Sequence, residues 1–348
     1  MNEQSEHIIS RKKEHLELCK TDEVKFKEKT SGFEQYDFLH AALTEVKIDK
    51  IDLSKKFFGK RVSYPFIISC MTGGTTEGEN INLQLAEAAA ELNVPLGLGS
   101  LRFALETNIF DEHFKVIRKT AKDAPILGNI GGAQIIQMKS FKPLFHLLDK
   151  VEADVLVVHL NPLQELLQKN GEPNFHGITK SLEKLVKQSP LPILVKEVGS
   201  GISKKNAQLL LGLGVAGIDV AGAGGTSWAG VEILRNKQST ENPFWDWGLP
   251  TSYSIKSIAE LRKKHKFILI GSGGINSSFD AAKALALGAD FTASARIILQ
   301  TLINSQQAGV VSLIKEWFED VKKIMFLTDS QNLCSFGLEK LILKKDFS

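Results

Sequence analysis

From Asp154 to Glu165 the chain reads Asp-Val-Leu-Val-Val-His-Leu-Asn-Pro-Leu-Gln-Glu, an apolar run that ends on His159, Asn161, Gln164 and Glu165. Imidazole, amide and carboxylate groups placed this close together can exchange protons, orient a polar substrate and hold a hard cation. His159 and Asn161 stand two apart, so on a strand they share one face. A strand whose polar end only meets solvent and caps the next helix would read the same way, and this segment alone leaves both readings open.

The elements that must carry such residues repeat along the chain. Apolar runs closed by Gly or polar residues recur at Phe66–Gly74, Pro95–Ser100, Pro125–Gly131, Pro192–Glu197, Gly217–Gly222, Phe267–Gly274 and Phe291–Arg296, which with the first makes eight candidate strands. Helical periodicity lies between them, at Leu83–Leu92, Ser181–Gln188, Ala207–Leu213 and Asp280–Leu287. Strands alternating with helices pair in parallel. Eight such units, over a length near the roughly 250 residues usual for the fold, predict an α/β fold of the (β/α)8 TIM-barrel type and not an open doubly wound sheet. Active sites of such barrels lie at the carboxyl ends of the strands, where the polar residues of this chain fall.

With 348 residues, 43% of them hydrophobic, the chain can bury a full core as one domain. Its net charge of +3 is spread along well-mixed acidic and basic residues, which argues against a nucleic-acid partner and for a small anionic ligand. Cys19, Cys70 and Cys334 have no metal-type or redox spacing and read as structural thiols in a reducing compartment. Residues 1–15 lack the apolar centre of a secretory signal, and the most apolar stretch, 209–225, contains Asp219 and six glycines, short of a membrane span. A cytoplasmic protein with no membrane partner is expected.

The expected organisation is an N-terminal extension over the barrel mouth (1–65), a barrel (66–308) with an insertion at 228–256, and C-terminal closing helices (309–348). The extension is read as carrying a helix near Phe33–Leu43. The aromatic insertion, with Trp245 and Trp247, is read as an ordered lid or subunit contact. Val310–Ile324 has the pattern of an amphipathic closing helix.

Glycine lets backbone N–H groups approach a phosphate, and a helix beginning just beyond adds its positive dipole end. Gly222–Ser227, Gly271–Ile275 and Ala293–Ala295 are such turns, and Gly273 and Gly274 with Ala295 and Arg296 fall after the last two strands, where barrels often hold phosphate. The first half offers Met71–Gly74, Ser100, Arg102, Asn129 and Lys196. Backbone at Met71–Gly73 can hold a planar heterocycle, with Asn129 and Lys196 at its polar edge. A lysine on a buried strand needs a partner, either an anionic ring or a salt bridge inside the barrel.

Over nearly its whole length the chain resembles the FMN-dependent, type 2 isopentenyl-diphosphate isomerases. The resemblance runs through Arg11-Lys12 with His15, Leu39–Leu43, Met71–Gly74, Gly99–Arg102, His159–Glu165, Lys196–Gly201, Ala221–Trp228, Trp247–Thr251 and Gly271–Ile275. It implies an enzyme that interconverts isopentenyl and dimethylallyl diphosphate by proton addition and removal. Its cofactors would be reduced FMN and Mg2+, with NADPH or NADH only to reduce the flavin, and the assembly a homotetramer or homo-octamer.

Residue by residue, the resemblance assigns the diphosphate to Arg11, Lys12, His15, Ser100, Arg102, His159, Asn161 and Gln164, with Gln164 and His159 as catalytic groups and Glu165 on Mg2+. It assigns FMN to Met71, Thr72, Gly73, Ser100, Asn129, Lys196, Ala221 and Thr226, and the flavin phosphate to Gly273, Gly274, Ala295 and Arg296. For Glu232 two readings stand, near the metal or as a solvated helix residue. Asn276 occupies a position where related barrels usually place Arg, so phosphate affinity rests on backbone N–H groups and Arg296. Asp329 replaces a usual Gly and is read as a surface change. A 2-hydroxyacid oxidoreductase is the first alternative, but it needs a base and a carboxylate-binding arginine after the seventh strand, where this chain has no such pair. A non-catalytic flavin-binding sensor is the second, and it has no use for the diphosphate and metal residues.

Overall fold

The computed structural model describes residues 3–107 and 111–346. The outermost residues of the extension and of the closing segment, 1–2 and 347–348, lie outside that range. Short strands β1 (Tyr36–Phe38), β2 (Lys55–Phe57) and β3 (Lys60–Val62) precede the barrel. The barrel itself is formed by β4 (Phe66–Ile68), β5 (Leu96–Ser100), β6 (Ile126–Gly131), β7 (Val155–Leu160), β8 (Ile193–Glu197), β9 (Gly217–Asp219), β10 (Ile268–Ser272) and β11 (Phe291–Ser294), and β12 (Leu341–Leu343) follows. β4 to β11 pair in parallel in chain order and β11 closes on β4, so the eight expected strands make a closed (β/α)8 barrel.

The barrel interior is layered because side chains alternate along each strand. Ile67, Leu127, Val157, Leu194, Ile270 and Ala293 form one inward apolar cluster, while Phe66, Ile68, Leu156 and Val195 face the surrounding helices. The β2–β3 hairpin plugs the amino end of this interior. Its Phe57 and Val62 are fully buried, and Phe57 meets Phe291 edge-on at 5.1 Å. Burial of each such side chain contributes about 1.5–3 kcal/mol, so one end of the barrel is sealed and only the carboxyl end is left for a ligand. Two positions along the same inward rows the residues turn polar, to Ser69, Asn129, His159, Lys196 and Ser272.

Helices cover the expected periodic stretches, at Thr76–Leu92, Ile178–Gln188, Lys204–Gly212 and Ser278–Ala286. The helix expected near Phe33–Leu43 is absent. Residues 33–35 make one 3₁₀ turn and Tyr36–Phe38 becomes β1, antiparallel to β12, with Phe38 stacked on Phe336 at 5.8 Å. The helical part of the extension is instead Glu3–Lys20, which lies against the helices Arg102–Thr107, Trp228–Arg235 and Arg296–Leu327. The insertion is ordered as the helix Trp228–Arg235, a loop and the helix Thr251–Ala259.

The closing helix is longer than its amphipathic signature, running Arg296–Leu327 with a kink at Gln306 (φ 55°). By length and composition it is apolar enough to cross a membrane, and here Ile298, Leu302, Val310, Ile314, Phe318 and Val321 are buried in the core. Asp329 is more than a surface change. It sits at φ 50°, the left-handed conformation that suits glycine, and its carboxylate accepts from Glu45 N (3.1 Å) and Thr44 Oγ (3.3 Å).

Candidate active site

Every residue assigned above to the diphosphate, the flavin or the metal lines one cavity at the carboxyl end of the barrel. On the β10–β11 side the lining is mostly backbone. Gly273 (φ 95°) is packed so closely that a Cβ there would stand 2.1 Å from Gly222 O. The helices Ser278–Ala286 and Arg296–Leu327 both start at this edge, and the second has no side-chain cap at Ala295. Thr251, fully buried, donates its hydroxyl to Gly273 O at 2.6 Å and fixes the turn. Arg296 is buried here, with its Nη1 on Asp22 Oδ1 at 2.7 Å and its Nε without a partner. Ser277 caps the first of these helices, so the uncapped amino end at Ala295, the unpartnered Arg296 Nε and the glycine turn are what fit a phosphate monoester. Asn276 is exposed at the rim of this side.

On the β4–β7 side the lining is side chains. Lys12, from the helix Glu3–Lys20, donates to Gly73 O at 2.5 Å and lies over the Phe103 ring at 5.6 Å. Burial, then Arg11 and Arg102, pushes its amine down to about 8. Burial and then Arg102 likewise lower Arg11. Arg102 donates to Glu106 (2.7 Å) and Glu172 (3.1 Å), so its guanidinium is partnered by carboxylates at the cavity wall. Three cations gathered at one wall call for a multiply charged anion among them.

The middle of the cavity is tightly hydrogen-bonded. Asn129 Oδ1 accepts from His159 Nδ1 at 2.9 Å, which leaves His159 Nε2 as an acceptor. Burial first, and then the charge of Lys196, lowers His159 to about 3, so it is uncharged at neutral pH. Lys196 donates to Glu197 O at 2.6 Å, while the Glu197 carboxylate folds back to accept from the N–H groups of residues 198–200. Asn161 Nδ2 donates to Gln164 Oε1 and to Glu165 Oε1, each at 3.0 Å, and Glu165 Oε2 accepts from Glu172 N at 2.8 Å. Each carboxylate oxygen of Glu165 keeps a second lone pair, and Asn161 Oδ1 is buried without a partner. No group of three or more His, Cys, Asp or Glu suited to a metal occurs among the described residues. The donors therefore fit a cation that takes most of its ligands from a bound phosphate and water.

Glu232 is fully buried, so the solvated reading is set aside. Its Oε1 accepts from His15 Nε2 (2.8 Å) and Gln164 Nε2 (3.2 Å), and its Oε2 from Arg235 (2.5 Å). Burial pushes this carboxyl up, but the His15 hydrogen bond and Arg235 bring it below the usual carboxylate range. Burial also lowers His15, against the pull of Glu232, to which its Nε2 donates. Sequence reasoning did not find Arg235, Glu172, Glu197 or Asp219. Arg235 on a helix and Glu172 in a loop read as solvated until tertiary packing shows their partners, and Glu197 and Asp219 end strands whose polar tips read as meeting solvent. Cys19 and Cys70 line the cavity, but burial raises both thiols to about 12, which leaves them unreactive.

The fold and the two-sided site define an FMN-dependent dehydrogenase type of barrel, and the profile described as FMN-dependent dehydrogenase matches residues 5–112 and 159–341. Among solved structures, a point mutant of flavocytochrome b2 superposes with a TM-score of 0.72 over 96% of this chain and 84% of its own at 18% identity. A mandelate oxidase variant aligns at 0.64 over 95% and 93%, also at 18% identity. At that identity the likeness is one of fold. Sequence relatives are far nearer. The isopentenyl-diphosphate delta-isomerase of Chlorobium phaeobacteroides is 41% identical over 97% of this chain and 96% of its own length, and that of Pyrococcus abyssi 39% over 94% and 90%. The chain belongs to the isopentenyl-diphosphate delta-isomerase family.

Proposed function

We propose that this protein interconverts isopentenyl and dimethylallyl diphosphate with reduced FMN and Mg2+, as a cytoplasmic homo-oligomer. The observation that carries the reading is one cavity with two anion sites: the backbone cradle at Gly273, Gly274, Ala295 and Arg296, and the cations Arg11, Lys12 and Arg102. The cradle takes the flavin phosphate, and Met71–Gly73, Ser100, Asn129, Lys196, Ala221 and Thr226 border the space left for the ring. Bound there, reduced FMN would supply acid–base chemistry at its ring nitrogens, with NADPH or NADH needed only to bring it to the reduced state.

The chain's own residues bind, orient and exclude water. Arg11, Lys12, His15 and Ser100 receive the diphosphate, and Glu165 would hold Mg2+, which would supply further positive charge to the diphosphate. Neutral His159 offers Nε2 as an acceptor without adding a charge that would compete with the cations. Gln164 is held between Asn161 and Glu232, so its amide is fixed in orientation beside the allylic carbons, where a proton is added at one and removed at another. The helix Glu3–Lys20 roofs the cavity and keeps bulk water from reprotonating the substrate.

The test is anaerobic conversion of isopentenyl diphosphate by purified protein with FMN, Mg2+ and a chemical reductant, with flavin absorbance recorded throughout. Turnover with the flavin remaining reduced is expected. A bound flavin without turnover, or turnover that oxidises it stoichiometrically, overturns the isomerase reading.

A further inference from the structure

On the inner face of the barrel, His159 of β7, Lys196 of β8 and Asp219 of β9 are direct neighbours in register. Ser272 of β10 continues the row with a 2.5 Å hydrogen bond from its hydroxyl to Asp219 Oδ1, and Asn129 extends the other end through its bond to His159. Lys196 is the cation of this row; burial raises the carboxyl of Asp219, and the Lys196 charge, the Ser272 hydroxyl and the Ala221 N–H oppose that rise and favour its ionised form. Asp219 is only 4% exposed and reaches the cavity through Lys196 and Ser272, which line it. The same Oδ1 accepts from Ala221 N at 3.2 Å. Ala221 borders the cavity at φ 36°, a left-handed conformation costly to any residue with a Cβ and held only when its surroundings over-determine it.

A buried carboxylate with these partners has no role in the substrate chemistry proposed above, yet it is expensive to keep. We propose that Asp219 is a positioning residue for the flavin: its negative charge offsets that of Lys196, and its bond to Ala221 N–H holds the cavity wall in shape. The inference rests on the flavin site proposed above. Lys196 facing a reduced, anionic flavin favours reduction. Asp219 opposes that pull, and the floor under the ring is close to neutral. Asp219 thereby moderates how strongly the protein stabilises the reduced cofactor.

The test is the midpoint potential of the FMN-loaded protein. Asp219→Asn removes the charge and keeps the shape, and the oxidised–reduced equilibrium is expected to shift about tenfold or more toward the reduced flavin, which is about 30 mV for a two-electron couple. Asp219→Glu keeps the charge and is expected to stay near wild type. Ser272→Ala weakens the support of the anion and is expected to move the potential the same way by less. If Asp219→Asn does not fold, Ser272→Ala decides, and an unmoved potential in that variant overturns the proposal. An unmoved potential in Asp219→Asn, or an equal shift in Asp219→Glu, overturns it as well. Wild-type protein that takes up no FMN overturns the flavin reading itself. FMN uptake with an unmoved Asp219→Asn overturns only the role given to Asp219.

Discussion

The cradle beside β10 and β11 is made of backbone, whereas the cationic side near β5 and β7 is made of long side chains, three of them from a helix that belongs to no barrel unit. Backbone N–H groups at a glycine turn are fixed once the fold forms, and they bind phosphate at little further entropic cost. Arg11, Lys12 and His15 must be delivered by the helix Glu3–Lys20, which is held to the barrel by buried Leu16 and the polar bridges to Glu232 and Gly73. One half of the cavity is thus built with the barrel and the other half is docked onto it. The contrast gives each side its own characteristic failure.

The largest expected effect is at Glu232, where the two sides of the network meet. Glu232→Ala removes the shared acceptor of His15, Gln164 and Arg235, leaving Arg235 only Glu14, and at roughly 1–3 kcal/mol for each donor left unmet it is expected to cost about 3–5 kcal/mol of stability. Glu232→Gln keeps the shape, and turnover is expected to fall on the order of a hundredfold as Gln164 loses its orientation, with FMN affinity unchanged. Denaturant unfolding and flavin titration separate the two, and a loss of FMN by the Gln variant would break the division between the sides.

Gly273→Ala attacks the backbone side. A Cβ 2.1 Å from Gly222 O at φ 95° strains the turn, and about 1–3 kcal/mol of FMN affinity is expected to be lost, roughly ten- to a hundredfold, with diphosphate affinity less affected. Titration with each ligand in turn reads the difference, and equal losses in both would mean that the two anion sites behave as one.

On the side-chain half, Lys12→Ala is expected to raise KM for the diphosphate about tenfold by removing a charge-assisted contact, with the flavin spectrum unchanged. The lowered amine of Lys12 adds a sign. The cost of burying its charge is fully present below about pH 8 and is relieved as pH rises toward the ordinary 10.5. An incoming diphosphate restores the proton, so binding slightly above about pH 8 is expected to take up a proton that Lys12→Ala does not. Calorimetry in buffers of different ionisation enthalpy reads this, and identical uptake by the variant would remove Lys12 from the site. The smallest effect is at the exposed rim, where Asn276→Arg is expected to tighten FMN only a few-fold, as screened charges do.

The barrel was legible in the sequence because parallel strands buried on both faces read as unbroken apolar runs, and each ended in a residue that no core would choose. The cradle was legible for a related reason, since glycine pairs such as Gly273-Gly274 mark backbone that must pass close to something. The helix Glu3–Lys20 was not, because it is polar nearly all round and its stability comes from bridges to partners distant in sequence, such as Glu232 for His15. The helix expected at Phe33–Leu43 failed for the opposite reason. Phe33, Tyr36 and Phe38 have near-helical spacing, but the partners of β1 are β12 and Phe336, and no local pattern announces a pairing across most of the chain. Asp219 was invisible, and Glu232 stood between two readings, because burial of a carboxylate is decided by tertiary neighbours, whereas composition only records that the residue is acidic.

The β1–β12 ribbon bears on when the catalytic pocket is finished. Tyr36 pairs with Leu343, and the segment that follows the helix Glu3–Lys20 is tied by Asp22 to Arg296. A ribosome makes the helix Glu3–Lys20 first and the residues that moor it, Gly73, Glu232 and Arg296, only later. The pocket is therefore walled on both sides only after Arg296 has been made, and β12 then fixes β1 beside it.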